Sequence, residues 1–249
     1  MAEYVKKTVD CIYPSALFGD FFKNVPKTLN DFGYSDVVLL TNDSTNKLID
    51  SYEQLKKNET EIKIPEIHRC FEIVSENPQE IHNLLRKHRS SYDLLCVRSN
   101  KEKSIRAAVE NERNDFIIPT VFDRPGLINQ VVAKAARDNS IAFAFEMLPL
   151  LKLRGYKRVK YIECIRLMLP SLNKYDVPII FMTGAKSQTD LRDQISLSSF
   201  GFLLDFDIYS SEKCISSLGK IINENLSRKS GKTVADGITV EMSESGEFD

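Results

Sequence analysis

Residues 141–146 read Ile-Ala-Phe-Ala-Phe-Glu, and this stretch decides the fold class. Five apolar residues in succession end on one carboxylate, Glu146. A strand that is apolar on both faces is typical of a parallel sheet, because helices cover both sides of such a sheet. The apolar run continues only to Leu151 and is too short to cross a bilayer. We therefore expect an α/β fold in which residues 141–145 form one of several parallel strands.

Seven further runs resemble this one and alternate with helical patterns. Each is short, rich in branched or aromatic residues, and bounded by polar residues, proline or glycine. The eight predicted strands are residues 8–13, 36–40, 70–74, 93–97, 116–119, 141–145, 177–182 and 201–206. The predicted helices are residues 16–31, 47–57, 78–89, 101–110, 126–137, 157–173, 189–199 and 211–226.

Eight strands that alternate with eight helices match the size of a (β/α)8 barrel. An open doubly wound sheet is the alternative, but no glycine-rich dinucleotide turn follows the first strand. We therefore predict one TIM-barrel-like α/β domain over residues 1–242. Residues 237–242 form a final short strand or a segment laid across the barrel, and residues 243–249 form a disordered acidic tail.

The overall charge is close to neutral, with 34 Lys and Arg against 35 Asp and Glu, which by itself supports a nucleic-acid binder only weakly. Residues 235–249 hold five acids and no base, so the preceding body is mildly basic. The five cysteines include no C-x-x-C pair, which favours buried thiols in a reducing compartment over disulfides. The first ten residues lack an apolar stretch, so we expect a cytoplasmic protein without a membrane partner.

Candidate catalytic side chains are few. The three histidines (His68, His82 and His88) form no H-x-H or H-E-x-x-H motif, so we expect partly exposed imidazoles and no metal site. Carboxylates at predicted strand ends would meet at one face of a barrel and could act as an acid–base pair. These carboxylates are Asp123, Glu146, Asp205 and Asp207. Their spacing specifies no pair, and helix caps or partners of neighbouring arginines are the simpler interpretation.

The segment Lys152–Lys160 reads KLRGYKRVK and places five cations within nine residues without an acid. Gly155 predicts a turn, so Lys157 and Arg158 open the following helix. Cations are unfavourable at a helix N-terminus, and a bound polyanion would relieve this conflict. Tyr156 adds a ring for stacking. A solvated charged loop is the competing interpretation.

Other cations follow predicted strands, and in a barrel they would share the same rim. Arg98, Lys101 and Lys103 come after the fourth strand, and Arg124 stands beside Asp123. Lys186 belongs to the turn G-A-K-S after the seventh strand, a frequent phosphate site in barrels. Arg192, in T-D-L-R-D, has two interpretations. It either forms a bidentate pair with a carboxylate or phosphate, or it holds two loops together.

Several segments, taken in order, resemble the ribonuclease P protein component 3 family. They are F-G-Y-S-D-V-V at 32–38, D-L-L-C-V-R at 93–98, I-A-F-A-F-E at 141–146, R-G-Y-K-R at 154–158, T-G-A at 183–185, D-L-R-D at 190–193, and the segments 221–226 and 231–240. Each motif by itself has low specificity, but the order and spacing of the motifs over most of the chain are specific. One departure follows Arg192: the family usually continues with proline, whereas this chain has Asp193-Gln194, so we expect a differently shaped helix start.

The resemblance implies a barrel akin to metal-dependent phosphoesterases of the polymerase-and-histidinol-phosphatase type. Their H-x-H is missing from residues 10–14, so their metal chemistry is not expected. It also implies a protein subunit of ribonuclease P, which removes the 5′ leader from precursor tRNA. The RNA would carry catalysis with Mg²⁺ held mainly by that RNA, and this chain would bind no cofactor and cleave nothing alone. Implied partners are ribonuclease P RNA, other protein subunits, especially component 2, and precursor tRNA.

We therefore predict a set of RNA- or partner-binding cations. They are Arg98, Lys101, Lys103, Arg124, Lys152, Arg154, Lys157, Arg158, Lys160, Lys186 and Arg192. Two rivals remain. A stand-alone barrel phosphoesterase requires metal ligands that the sequence does not offer. A barrel-fold binding module without an RNA role agrees with the near-neutral charge.

Overall fold

The structure is a computed structural model of the 249-residue chain, and it describes residues 8–14, 25–41, 65–120, 127–230, 233–235 and 238–239. Seven parallel strands follow one another around a nearly closed barrel in sequence order. They are β1 (Val9–Ile12), β2 (Asp36–Thr41), β3 (Glu66–Val74), β4 (Leu94–Ser99), β5 (Phe116–Pro119), β6 (Ala142–Glu146) and β7 (Ile179–Met182). The predicted TIM-barrel-like α/β fold is confirmed.

Helices alternate with these strands on the outside. They are α1 (Val25–Asp31), α2 (Pro78–His88), α3 (Glu102–Val109), α4 (Gln130–Asp138), α5 (Leu148–Lys152), α6 (Gly155–Lys174), α7 (Gln194–Phe202) and α8 (Ile208–Lys229). A short antiparallel pair, β8 (Thr233–Ala235) and β9 (Ile238–Thr239), follows α8. The predicted helix at 47–57 and the tail at 243–249 lie outside the described residues. No helix in the described part of the chain is both long and apolar enough to span a membrane.

The predicted eighth strand at residues 201–206 is wrong. Gly201 and Phe202 end α7, and the N–H groups of Leu204 and Phe206 both donate to the carbonyl of Gly201, at 2.8 and 3.0 Å. Asp205 then turns the chain with a φ of 64°. A short apolar run fits the end of a buried helix as well as a strand, and here the helix forms.

The segment directly after β7 takes the place of an eighth strand at the seam of the barrel. The N–H of Gly184 donates to the carbonyl of Cys11, and the N–H of Tyr13 donates to the carbonyl of Ala185, at 3.0 and 2.9 Å. The Asp10 carboxylate accepts from both the N–H and the hydroxyl of Thr183, at 2.8 and 2.5 Å. Burial raises the pKa of Asp10 to about 6. The two barrel edges are thus joined by loop backbone and one buried carboxyl group.

Side chains alternate between the inside and the outside of the barrel. Among the described residues, fifteen buried hydrophobic side chains form the interior cluster, including Cys11, Cys70 and Cys96, while the helices cover two outer layers. Leu218 and Ile222 of α8 belong to the interior cluster. Since α8 also reaches the starts of β4 and β5, it covers the N-terminal end of the barrel. The C-terminal end is therefore the end that is left for a functional site.

The five cysteines are buried and none forms a disulfide, as predicted. The expectation of partly exposed histidines is wrong for two of the three. His68 is buried and its Nε2 lies 2.8 Å from Oδ1 of Asp36. His88 is buried because it continues the apolar stripe of α2, and its ring stacks on Phe71 at 4.0 Å. His82 is half-buried.

Candidate functional site

An ion-paired cluster occupies the C-terminal end of the barrel, and we call it the mouth network. Its members are Tyr13, Glu72, Arg98 and Glu146. The last three project inward from β3, β4 and β6, because their sequence neighbours Phe71, Ile73, Val97 and Phe145 pack in the outer layer. The pleat of three separate strands thus brings these charges together.

Arg98 lies at the centre of the mouth network. Its Nη1 and Nη2 each lie 2.8 Å from one carboxylate oxygen of Glu146, and its Nε lies 2.5 Å from Oε1 of Glu72. Its Nη2 also donates to the hydroxyl of Tyr13 at 2.5 Å. Burial works to lower the pKa of Arg98, but the hydrogen bonds and charge of Glu146 and Glu72 raise it overall. Four of the five guanidinium N–H groups therefore donate inside the barrel, where two carboxylates surround this one cation.

The turn after β7 rests directly on this network. A Cβ added to Gly184, whose φ is 62°, would lie only 2.8 Å from Oε1 of Glu146. The N–H groups of Ala185 and Lys186 already donate within the fold, to Thr183 Oγ1 and Asp190 Oδ2. The backbone N–H groups of residues 184–186 all donate within the fold and are therefore not available to a phosphate. What it presents is the ammonium of Lys186, 4.6 Å from the Tyr13 ring centroid.

A second cationic feature lies at the start of α6, and we call Arg154, Tyr156, Lys157 and Arg158 the basic strip. All four side chains are exposed, and Tyr156 is 76% exposed. The helix begins at Gly155, two residues before the predicted start. Its first turn contains no acid, and its N-cap residue, Arg154, makes no capping hydrogen bond through its side chain. Cations thus surround backbone N–H groups at the positive end of a 20-residue helix.

Lys152 connects the basic strip to the loop that follows β7. Its ammonium lies 2.5 Å from Oδ1 of the buried Asp190. Burial works to raise the pKa of Asp190, but hydrogen bonds from Lys152 and Ser187 hold it below its ordinary value. Because Lys186 precedes Asp190 on this loop, the basic strip and Lys186 lie at the same end of the barrel.

The remaining predicted cations have different surroundings. Lys101 lies 3.5 Å from Glu76, Lys103 is exposed in the first turn of α3, and Lys160 is half-buried. Arg124 and its neighbour Asp123 lie outside the described residues. Arg192 donates to the carbonyls of Thr189 and Leu191, at 2.8 and 2.6 Å, so it stabilises its own loop. This contact is structural, but the guanidinium holds one loop and not the two that one interpretation of Arg192 expected.

Two residues of the site carried no sequence signal of their own. Tyr13 joins the mouth network from beyond the end of β1. Asp190 lies two residues before Arg192 and was not itself predicted as a site residue. Glu72 could have been found, since it continues the inward-facing alternation of His68 and Cys70. Within the described residues, no group of three or more His, Cys, Asp or Glu side chains is placed to hold a metal ion.

Comparison with known proteins gives one consistent family. Residues 16–230 match the family model described as RNase P subunit p30. The chain is 36% identical, over 176 residues, to ribonuclease P protein component 3 of Methanosarcina mazei, covering 70% of this chain and 73% of that protein. It is 25% identical over 223 residues to the component 3 protein of Methanococcus maripaludis, covering 88% and 94%.

The fold has a counterpart of known structure. A chain in the cryo-EM structure of archaeal ribonuclease P with mature tRNA superposes with a TM-score of 0.78. The match covers 96% of this chain and 100% of that chain, at 20% sequence identity. At this identity the likeness establishes the barrel architecture alone.

Proposed function

Because the chain belongs to the RNase P subunit p30 family, we propose that it is a protein subunit of ribonuclease P that binds RNA through the basic strip. In this role it supports the removal of the 5′ leader from precursor tRNA. The observation that carries the proposal is the exposed, uncapped and cation-flanked start of α6.

The basic strip has the chemistry that a phosphate backbone needs. Arg154, Lys157 and Arg158 neutralise phosphates and release condensed counterions, which makes binding dependent on salt. The N–H groups of the first helical turn, which the Arg154 side chain does not cap, add donors that favour an anion. Tyr156 offers an exposed ring on which an unpaired base can stack. The predicted contacts Lys101, Lys103 and Lys186 extend this surface around the rim.

We further propose that this chain does not cleave RNA by itself and that the RNA subunit supplies catalysis with its Mg²⁺ ions. The mouth network supports this assignment. Glu72 and Glu146, which would otherwise be the natural cation ligands at this end of a barrel, both pair with Arg98. Arg98 therefore acts inside the barrel, and we leave it out of the RNA surface.

The wider partners are ribonuclease P RNA, component 2 and, through the complex, precursor tRNA. We propose that the complex works in the cytoplasm, which agrees with five free buried thiols.

The proposal is tested by reversing two charges of the basic strip. Lys157→Glu/Arg158→Glu should weaken binding to the ribonuclease P RNA of the same organism at least tenfold at low salt. The slope of log K against log salt should become shallower by about one unit for each lost phosphate contact. Lys134→Glu/Arg137→Glu is a matched control, because it makes the same charge change on the exposed side of α4. Equal losses in the two double variants would reject a specific role of the basic strip.

A further inference from the structure

A different surface is formed where α7 meets the start of α8, and we call the exposed side chains of residues 193–209 the α7–α8 face. Large apolar side chains crowd this short stretch. They are Ile195, Phe202, Leu203, Ile208 and Tyr209, and Ile195 and Tyr209 are 80% and 82% exposed. Clusters of exposed apolar side chains on this scale mark interaction sites more often than isolated ones do.

The α7–α8 face is one continuous surface. Ile195 and Phe202 are seven residues apart on α7, so they lie on the same side of that helix. Gly201 brings the end of α7 against the first turn of α8, since a Cβ there would lie 2.1 Å from Oγ of Ser211. Ile208 and Tyr209 belong to that same first turn. The two helix ends that carry these exposed apolar side chains therefore lie next to each other.

The composition of α7 also indicates a missing partner. Its inner side, with Leu197 and Phe200, is buried, and the Phe200 ring packs on Phe181 at 5.3 Å. Its outer side carries Ile195 and Phe202, with Ser199 exposed between them. A helix with large apolar side chains on both sides is usually buried on both. In this chain the fold buries only one of them.

The charges around the face determine which partner fits. Residues 193–211 contain three acids (Asp193, Asp205 and Asp207) and no Lys or Arg. Arg166 of α6 approaches this edge and pairs with Asp205 at 3.1 Å. With the bordering Arg192, Glu212 and Lys213 included, there are four acids and three bases, which leaves one acid in excess. Such a surface is less favourable for RNA phosphates than the basic strip is. A second copy of the chain would also bring like charges together.

We propose that the α7–α8 face binds a basic protein partner, whose apolar side chains cover Ile195 and Tyr209. This inference rests on the proposed function, since it assigns the protein contact of the same subunit to a surface separate from the basic strip. Positive charge on the partner would complement the acids and accelerate association. Exposed tyrosines at such sites contribute large contact area at low entropic cost.

The test mixes the full chain with each other protein subunit of the same organism's ribonuclease P, one at a time, and separately with the RNA. Ile195→Ser/Tyr209→Ser should weaken binding to a basic subunit at least tenfold and leave RNA binding unchanged. Asp193→Asn/Asp205→Asn/Asp207→Asn should weaken the same contact several-fold at low salt. Asparagine retains the two helix caps and tolerates the positive φ of residue 205, so this triple variant should stay folded. Melting temperatures within about 2 °C of the unmodified chain would verify that, since that interval corresponds to about 1 kcal/mol or less.

Lys157→Glu/Arg158→Glu is the reciprocal control, because it should weaken RNA binding while the protein contact persists. The inference is overturned if the unmodified chain binds no subunit, or if every subunit binds it and the variants equally. It is also overturned if the serine variant loses RNA affinity, or if sedimentation reveals a dimer that the serine variant abolishes. A loss of RNA binding confined to the basic-strip variant bears on the proposed function alone.

Discussion

Arg98 and Glu146 face each other inside the barrel, 48 residues apart in sequence, and two parallel hydrogen bonds of 2.8 Å join them. This bidentate geometry is the strongest form of the arginine–carboxylate pair. Glu72 adds a third bond, and only 17% of the Arg98 side chain is exposed. The pair therefore stabilises the open end of the barrel, and its removal should affect folding before it affects RNA binding.

Arg98→Met is expected to lower the free energy of unfolding by about 3 kcal/mol, because it leaves two mostly buried carboxylates without a countercharge. Arg98→Met/Glu72→Gln/Glu146→Gln should recover much of that loss, since no unpaired charge remains. Urea denaturation measures both. Affinity for ribonuclease P RNA should change less than twofold in the triple variant. A single variant as stable as the triple would show that ion pairing does not hold the mouth network.

Asp10 should make the stability of the protein depend on pH. Its folded-state pKa, about 6, is above the ordinary value of 3.8 because of burial, so the native state binds its proton more tightly than the unfolded state does. Its stabilising contribution is complete below about pH 4 and is lost as the pH rises through 6.

Asp10→Asn removes this titration and can retain the hydrogen bonds to Thr183. The free energy of unfolding of the variant, relative to the unmodified chain, should rise by about 2–3 kcal/mol between pH 4 and pH 7. Chemical denaturation at a series of pH values measures this difference. A difference that stays constant across the range would mean that Asp10 is ionised throughout.

Gly201→Ala is expected to cost about 2 kcal/mol or more, because the new methyl group would meet both Ser211 and Phe181. Gly155→Ala tests the opposite situation. There the added Cβ has nothing within 4 Å, and only the positive φ of 53° opposes it, at about 1 kcal/mol. Thermal unfolding of the two variants compares them. If Gly155→Ala were the more damaging change, the close approach of α7 to α8 would not be the constraint we infer.

Asp193 should matter as a helix cap. Its carboxylate accepts from the N–H of Ser196 at 2.7 Å and so caps the start of α7. Asp193→Ala should lower stability by about 1 kcal/mol, whereas Asp193→Asn should stay within a few tenths of the unmodified chain. Denaturation midpoints measured side by side distinguish the two. Equal losses would attribute the effect to charge and not to capping.

Sequence reasoning identified the barrel because seven strands are apolar runs whose two faces are both covered, as residues 141–146 illustrate. It failed at residues 201–206, where an apolar run of strand length ends a helix. It placed Arg98 on the rim, because the fourth strand was predicted to end at residue 97, whereas β4 extends to Ser99 and turns Arg98 inward. The start of α6 was predicted nearly correctly, since the run of cations and Gly155 are local features. Contacts between distant segments, such as Lys152 with Asp190, left no local trace.

The position of α8 has a consequence for how the protein is made. Leu218 and Ile222 complete the barrel interior, Asn225 donates to the Asp115 carboxylate at 2.8 Å, and Lys229 pairs with Asp93 at 2.9 Å. The N-terminal end of the barrel is thus covered by α8, the last described helix, which packs on strands synthesised before it. During translation the inner faces of those strands therefore stay uncovered until residue 229 has left the ribosome. Nascent chains interrupted before α8 should therefore be the species that chaperones and proteases recognise.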